Sequence, residues 1–343
     1  MPLPLQVVNV DSVFRKTTGY QWLEERIRAA GGELILCHAI TEDQLMATCA
    51  RADIVVVEHP NTPVNARVIG AMTRSLAIVK CAVGLDNIDV DAASGRGIVV
   101  CSIADYCTEE VSDHTVGLLL CAVRRISSMD RYIRGGGWDE PEPLPIVRRF
   151  RNLTLGIIGL GRIGSAVARK LRGFEMRILA TDPYLDRSSE PGVQLVPLER
   201  LLRESDLVTL HVPLTVETRN LIGRAALACM KPSAILANTS RGPVIDEEAL
   251  IAALREGRIA GAALDVTVQE PLPQASPLRS FPNIILTPHG ASHSEDARAH
   301  WKATVVDSVE ALVRRYWPPF PANPGIVARV PLQPWAAFSE IHR

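Results

Sequence analysis

Three side chains in the second half of the chain have the chemistry needed to reduce a carbonyl group beside a carboxylate. They are Arg241 in Asn-Thr-Ser-Arg-Gly, Glu270 in Glu-Pro, and His289 in Thr-Pro-His. A guanidinium holds a carboxylate through paired, charge-assisted hydrogen bonds. An imidazole exchanges protons near neutral pH, and a neighbouring carboxylate orients the ring and favours its charged form. The three residues therefore predict a site for 2-keto or 2-hydroxy acids, in which Glu270 and His289 form an acid–base pair.

A glycine-rich turn upstream of these residues indicates a dinucleotide cofactor. It lies between a predicted strand and a helical pattern and comprises Gly159, Leu160, Gly161, Arg162, Ile163 and Gly164. The first glycine permits the tight turn, the second lets the backbone approach a pyrophosphate, and the third lets helix and strand pack closely. The N-terminus of the helix that follows favours the anion.

Asp182 determines which cofactor is predicted. It lies 18 residues after Gly164, at the end of the next predicted strand. A carboxylate at this position accepts hydrogen bonds from the ribose hydroxyls and repels the additional phosphate of NADP. The sequence therefore predicts NAD, and the nearby Arg187 leaves NADP or dual use as the alternative.

Short β-branched segments alternate with helical patterns along most of the chain, which is typical of parallel α/β sheets. In the first half the predicted strands are 7–10, 34–37, 54–57, 78–81 and 98–101, with helices such as 20–30 and 65–73 between them. In the second half six strands are predicted, at 153–158, 177–181, 207–211, 234–238, 262–266 and 284–286. Doubly wound sheets of this kind bind ligands at the carboxyl ends of their strands.

Three further segments have distinct patterns. Residues 109–132 predict one long helix, in which residues 116–123 are apolar on most faces, and such a helix is either part of the core or a subunit interface. Residues 135–151 are rich in glycine, proline and charge and predict a loop. The end of the chain, from Trp317 onward, is predicted to be an irregular tail, because six prolines fall within the 18 residues up to Pro334.

The composition excludes several classes of protein. A formal net charge of −1 over 343 residues gives no basic field for nucleic acid. No apolar segment is long enough to cross a bilayer, and the first five residues do not resemble a signal peptide. The seven cysteines are scattered without a Cys-x-x-Cys spacing, so neither a disulfide framework nor a zinc or other metal site is expected, and a reducing cytoplasm is favoured.

Together these motifs resemble the D-isomer-specific 2-hydroxyacid dehydrogenase family over roughly residues 6–326, including Val-Gly-Leu-Asp-Asn-Ile-Asp at 83–89 and His-Val-Pro-Leu-Thr at 211–215. The resemblance implies an NAD-dependent oxidoreductase that interconverts a small 2-keto acid and its D-2-hydroxy acid. In it, Arg241 binds the substrate carboxylate, and His289, paired with Glu270, donates the proton during reduction. Glutamine stands in place of Glu270 in the related formate dehydrogenases, so Glu270 favours hydroxyacid chemistry.

The resemblance also implies an architecture. Two Rossmann-like, doubly wound parallel-sheet domains are separated by a cleft that holds the active site. Residues 1–105 and 297–343 form a discontinuous substrate-binding domain, and residues 106–296 form the NAD-binding domain. A homodimer is expected, formed largely through the helices that follow residue 106.

Further ligand contacts follow from the resemblance. Cofactor contacts are expected from the glycine-rich turn and from Thr115, Asp182, Val212, Pro213, Thr218, Thr239, Ser240, Asp265 and His289. Asp265 would lie near the nicotinamide amide, and residues 212–218 would border the adenosine. Substrate contacts are expected from the backbone of Val83 and Gly84 and, as candidates, from the side chains of His59 and Tyr106.

For some of these candidates a structural role competes with the functional one. Tyr106 is either a pocket residue or packing at the domain hinge, and His59 is either a substrate contact or a solvated loop residue. His293 is a further candidate for the cleft. His114 and His211 are expected to be structural.

Within the family, residues 182–185 and 106–110, together with His59, resemble the branch of the C-terminal-binding-protein corepressors. Ser292 replaces the bulky aromatic usual in that branch, and residues 290–292 resemble phosphoglycerate or glyoxylate-type members. Two alternatives to the 2-keto acid reductase therefore remain: an NAD(H)-sensing scaffold that binds protein partners, and a dehydrogenase of another small anion such as phosphite.

Overall fold

A computed structural model describes residues 3–12, 19–39, 41–138 and 147–341 of the chain. It divides into two compact units. The first unit consists of Met1–Tyr106 and Glu295–Arg343, and the second unit is Cys107–Ser294.

Both units are built from parallel strands and helices that follow one another along the chain. The strands are β1 (Leu5–Asn9), β2 (Gly32–Leu36), β3 (Ile54–Val57), β4 (Ala77–Lys80), β5 (Val99–Ser102), β6 (Thr154–Ile158), β7 (Arg177–Thr181), β8 (Val193–Leu195), β9 (Leu207–Leu210), β10 (Ile235–Asn238), β11 (Gly261–Leu264) and β12 (Ile284–Leu286). The helices are α1 (Gln21–Ala29), α2 (Glu42–Cys49), α3 (Ala66–Ala71), α4 (Val90–Gly95), α5 (Thr108–Arg124), α6 (Ile126–Arg134), α7 (Arg162–Leu171), α8 (Leu198–Glu204), α9 (Arg224–Cys229), α10 (Glu247–Arg255), α11 (Glu295–Val313) and α12 (Trp335–Ile341).

The first unit contains a five-stranded parallel sheet in the order β2-β1-β3-β4-β5. Successive side chains of β1 enter two different core clusters: Val7 lies in one and Val8 in the other. This alternation places one core on each face of the sheet, which explains why β3 is apolar throughout. Helix α11 completes one face by packing against α1, so the end of the chain belongs to the first unit.

The tail after α11 covers the edge of this sheet at β5. The backbone of Ala322 donates to Val100 O, and Ser102 donates to Phe320 O. The buried side-chain amide of Asn323 accepts from Val100 N at 2.8 Å and donates to Ile98 O at 3.0 Å. The prolines therefore suit the tail, because an edge strand needs few donors from the segment that covers it.

The second unit contains a seven-stranded parallel sheet in the order β12-β11-β10-β9-β6-β7-β8. Strand β6 pairs with β7 on one side and with β9 on the other, so the chain reverses its direction across the sheet at β6. In doubly wound sheets ligands bind at the carboxyl ends of the strands beside such a reversal. The predicted α/β fold class is confirmed in both units.

Three details of the prediction were wrong. The predicted six-stranded sheet has a seventh strand, β8, which is too short and too exposed at the edge to give a hydrophobic pattern. The predicted helix 109–132 is broken at Arg125, whose φ of 57° is left-handed and ends α5 before α6 begins. The predicted irregular tail contains α12, directly after Pro334. Of the predicted loop 135–151, residues 139–146 lie outside the described residues.

Candidate active site

The glycine-rich turn joins β6 to α7 in the conformation that the sequence predicts. Gly159 has a φ of 90°, and a side chain there would meet His211 O at 2.6 Å. A side chain at Gly164 would collide with Gly159 O, whereas nothing lies within 4 Å of the position that a Cβ of Gly161 would occupy. Helix α7 begins after Gly161 without a side-chain cap. Helix N-termini favour anions, so the turn fits the pyrophosphate of a dinucleotide.

Asp182 lies at the end of β7 and organises the same turn. Its Oδ2 accepts from Leu160 N at 2.9 Å, and its Oδ1 accepts from Tyr184 N at 3.0 Å. The side chain of Leu160 is buried in the core, so any contact of this residue with a cofactor is through its backbone. Arg162 is exposed and Ile163 is half-buried.

The segment after β9 forms a compact loop. The Thr218 hydroxyl donates to Pro213 O at 2.6 Å and accepts from Thr215 N at 2.8 Å. Val212 packs against the core beside the loop. Burial lowers the pKa of His211 to about 3, so its imidazole is neutral at pH 7. Its Nε2 lies 3.1 Å from Thr209 Oγ1, which agrees with a structural role.

Arg241 is presented by a turn that the Asn238 side chain organises. The Asn238 Oδ1 accepts from the backbone and hydroxyl of Ser240 at 2.9 and 2.8 Å, and its Nδ2 donates to Arg241 O at 2.9 Å. The Arg241 guanidinium donates to Ser240 O at 2.8 Å and remains half-buried. A Cβ at Gly242 would collide with Thr267 O, so only glycine lets this turn approach the segment that carries Glu270.

Glu270 and His289 form a hydrogen-bonded pair. His289 Nδ1 lies 2.7 Å from Glu270 Oε2, and the two side chains are 39% and 30% exposed. Burial alone would raise the pKa of Glu270, but the hydrogen bond and positive charge of His289, the N–H of Thr267 and the charge of Arg241 outweigh it and lower this pKa. Glu270 is therefore ionised at neutral pH and accepts the Nδ1 proton, which leaves Nε2 of His289 as the nitrogen for proton exchange.

Asp265 lies at the end of β11, and its carboxylate is buried, with 1% of the side chain exposed. It accepts from the Thr287 hydroxyl at 2.6 Å, from Gly290 N at 2.9 Å and from Ala291 N at 3.0 Å. These bonds tie Asp265 to the turn that carries His289. The contact expected between Asp265 and the nicotinamide amide stays a prediction.

Thr115 and Thr239 contact each other below the site. Their hydroxyl oxygens are 2.8 Å apart, and Thr115 also donates to Val111 O at 2.7 Å. Thr115 is fully buried and Thr239 is 9% exposed. Since Thr115 has no exposed surface, contact between Thr115 and a cofactor would require Thr115 to separate from its neighbours, including Thr239.

The substrate candidates of the first unit lie at the carboxyl ends of its strands. His59 follows β3, Val83 and Gly84 follow β4, and Tyr106 follows β5 and packs partly against the core. Val83 is 40% exposed. His59 is exposed, and its Nδ1 accepts from Asn61 N at 3.1 Å, so the neutral ring carries its proton on Nε2.

Three side chains that the sequence did not single out fix the loop around His59. Lys80 is 1% exposed and donates to His59 O at 2.8 Å and to Glu58 O at 3.2 Å. The Asp11 carboxylate accepts from His59 N at 2.9 Å, and Asn87 donates to Thr62 O at 2.7 Å. The sequence does contain a signal for Lys80, because it is a charged residue at the end of the otherwise apolar strand β4.

His114 and His293 differ in their surroundings. His114 Nε2 lies 3.1 Å from Thr287 Oγ1, so this residue is hydrogen-bonded, as a structural histidine should be. His293 is exposed, and its backbone donates to Gly290 O at 3.0 Å within the turn after His289.

Four of the seven cysteines are buried packing residues. All seven are free thiols, and Cys49, Cys81, Cys101 and Cys107 are buried. Burial raises the pKa of Cys49 to about 12 and raises that of Cys81 strongly, so both thiols stay protonated at neutral pH.

Among residues 3–12, 19–39, 41–138 and 147–341 there is no cluster of His, Cys, Asp and Glu suited to a metal ion. No helix in the described ranges has the length and apolar character needed to span a membrane.

Comparison with known proteins relates the chain to a known family. Residues 116–291 match the model described as D-isomer specific 2-hydroxyacid dehydrogenase, NAD binding domain. A glyoxylate reductase of Korarchaeum cryptofilum is 46% identical over 269 residues, covering 77% of this chain and 81% of the relative.

Two solved structures extend the similarity to the fold. D-lactate dehydrogenase of Aquifex aeolicus, complexed with NAD and lactic acid, has a TM-score of 0.79 at 29% identity and covers 90% of this chain and 95% of its own. The NADPH-dependent glyoxylate/hydroxypyruvate reductase of Sinorhizobium meliloti, complexed with NADP and malonate, has a TM-score of 0.82 at 30% identity and covers 96% of this chain and 100% of its own. None of these three proteins bears the name of a C-terminal-binding protein, and resemblance to that branch stays a prediction.

Proposed function

The chain belongs to the D-isomer-specific 2-hydroxyacid dehydrogenase family and is an NAD-dependent oxidoreductase of 2-hydroxy acids, and we propose that it reduces glyoxylate or a similarly small 2-keto acid, with Arg241, Glu270 and His289 as its catalytic residues. The observation that carries the assignment of residues is the 2.7 Å contact between His289 Nδ1 and the ionised Glu270. The small substrate is supported by the name of the relative that is 46% identical.

When bound, NADH supplies the hydride that adds to the substrate carbonyl carbon. The glycine-rich turn and the uncapped start of α7 would hold the pyrophosphate, and Asp182 would accept from the ribose. Since Asp182 already accepts from the backbone of Leu160 and Tyr184, its carboxylate is fixed in place. Its charge favours NAD over NADP, although a relative with the same fold binds NADP.

The proton comes from His289. Glu270 accepts from Nδ1 and stabilises the imidazolium, so the Nε2 proton is directed to the substrate oxygen as negative charge develops there. Arg241 binds the substrate carboxylate through its guanidinium and fixes the carbonyl relative to His289. The carbonyl C=O π bond is broken, a C–H bond and an O–H bond form, and His289 is left neutral.

The direct test is oxidation of NADH by the purified protein with glyoxylate, hydroxypyruvate, pyruvate, 2-ketobutyrate and phenylpyruvate, with NADPH as the comparison. We expect turnover to be greatest with the smallest acids and to collapse in Arg241→Ala while NADH binding is kept. Equal loss of turnover and NADH binding in Arg241→Ala would instead indicate a folding role. Tight NADH binding without turnover of any acid would support the sensing scaffold or a dehydrogenase of another anion.

A further inference from the structure

The backbone that presents His289 is held in an unfavourable conformation. His289 has a φ of 52°, in the left-handed region. For a residue with a side chain this region costs about 1–2 kcal/mol. Such a conformation persists only where surrounding groups impose it. The groups that impose it therefore determine where the imidazole lies.

The Asp265 carboxylate is the centre of these groups. Within the turn it accepts from residues on both sides of His289: the hydroxyl of Thr287 at 2.6 Å, and the backbone of Gly290 at 2.9 Å and of Ala291 at 3.0 Å. The backbone of His289 itself donates to Asp265 O at 2.8 Å. Because the carboxylate is buried, each of these bonds is expensive to leave unmade.

His114 extends this arrangement from the neighbouring helix α5. Its Nε2 lies 3.1 Å from Thr287 Oγ1 and 3.5 Å from Asp265 Oδ1. The Thr287 hydroxyl donates its only proton to Asp265 Oδ1. The Thr287 oxygen is then an acceptor, and His114 Nε2–H is its donor. The bonds run in one direction, from His114 to Thr287 to Asp265.

We infer that His114, Thr287 and Asp265 form a positioning network that holds the His289 turn in the conformation needed for proton transfer. This inference rests on the proposed role of His289 as the proton donor. None of the three need touch the substrate; they act through the backbone of residues 287–291. Loosening the turn leaves Arg241 and the glycine-rich turn intact, so it should lower the rate of reduction more than the affinity for either ligand.

The test compares Thr287→Val with Thr287→Ser. Valine has nearly the shape of threonine but lacks the hydroxyl, whereas serine keeps it. Since misplacement of a reacting group by about 1 Å costs up to about 100-fold in rate, a partly loosened turn should lower kcat for glyoxylate by about tenfold in Thr287→Val. The KM for glyoxylate and the Kd for NADH should stay within about twofold, which a general loss of structure would not give. Thr287→Ser should restore kcat to within about threefold of the wild type.

His114→Leu is the second variant, and it tests the positioning network even if Thr287→Val fails to fold. It should lower kcat in the same direction, and the double variant should lose less than the product of the two single effects, because both interrupt one chain of bonds. An unchanged kcat in Thr287→Val and His114→Leu would overturn the inference, as would equal losses in the valine and serine variants.

His289→Ala is measured in the same assay to separate this inference from the proposed function. If it retains turnover, the proposed role of His289 is wrong. If it abolishes turnover while Thr287→Val and His114→Leu match the wild type, the positioning network alone is wrong.

Discussion

Replacing Glu270 by glutamine isolates the charge of the acid–base pair. The variant keeps one carbonyl oxygen, which can accept from His289 Nδ1 where Oε2 now lies at 2.7 Å, and it replaces Oε1, which accepts from Thr267 N at 3.1 Å, by an amide nitrogen. It removes the negative charge that stabilises the imidazolium. Glu270→Gln should therefore keep the hydrogen bond to His289 Nδ1 and remove the charge beside it, with the loss of the bond from Thr267 N.

The magnitude follows from the exposure of the pair. A hydrogen bond to a charged group contributes about 1 kcal/mol more than a neutral one. His289 and Glu270 are 39% and 30% exposed, so solvent screens the pair and argues against a larger value. About 1.4 kcal/mol corresponds to a factor of ten in rate. We expect kcat/KM for glyoxylate at neutral pH to fall by about fivefold.

Protonation of Glu270 lowers the stability of the fold only at acid pH. Its pKa is lowered in the folded protein, so the ion pair contributes stability above the ordinary pKa of a glutamate. That stability is lost as the pH falls through the lowered pKa. The Glu270 carboxyl therefore does not titrate in the neutral range. A loss of kcat/KM at neutral pH in Glu270→Gln thus reports on the loss of charge beside His289.

The assay is the steady-state oxidation of NADH with glyoxylate across a series of pH values. Glu247→Gln is the matched control, because Glu247 is another carboxylate that accepts from this loop, through Val268 N at 3.2 Å. Its kcat/KM should match that of the wild type at each pH. An unchanged kcat/KM at neutral pH in Glu270→Gln would refute the reasoning, and an equal loss in both variants would attribute the effect to net charge rather than to the pair.

Three further variants test other parts of the site and fold. Gly242→Ala should lower kcat/KM for glyoxylate and destabilise the protein by about 1–3 kcal/mol in urea denaturation, because its methyl group would collide with Thr267 O; a wild-type midpoint would contradict the close approach. Asp182→Asn should raise the NADPH-to-NADH ratio of kcat/KM by about tenfold through loss of charge repulsion; an unchanged ratio would place the discrimination elsewhere. Asn323→Ala should lower the free energy of unfolding by about 2–4 kcal/mol, because Val100 N and Ile98 O lose their buried partner; kcat measured on the folded fraction should stay at the wild-type value.

The sequence predicted best where function depends on local geometry. The glycine-rich turn is specified by residues within one strand–turn–helix segment, and both Gly159 and Gly164 are required by contacts that such a turn always makes. The pairing of Glu270 with His289 joins residues 19 positions apart, and it was expected from chemistry and from family resemblance.

The errors arose where long-range contacts decide the outcome. No local signal marks Arg125, since arginine rarely adopts a left-handed φ and the apolar pattern continues across it. Strand β8 exists because β7 offers an edge to pair with, and its own three residues show no pattern. The network around Asp265 joins α5, β11 and the turn after β12, and no spacing in the sequence reveals that three segments meet there.

The measurement that tests the central claim most directly is the single-turnover rate of NADH oxidation with glyoxylate in His289→Ala, with His293→Ala as its control. Both variants remove an imidazole, and His293 lies four residues further along the same turn, with an exposed side chain. A general acid contributes about 100-fold to 10,000-fold to a rate. We predict a loss of that size in His289→Ala, with NADH binding kept, and a rate near that of the wild type in His293→Ala. Undiminished hydride transfer in His289→Ala would contradict the account.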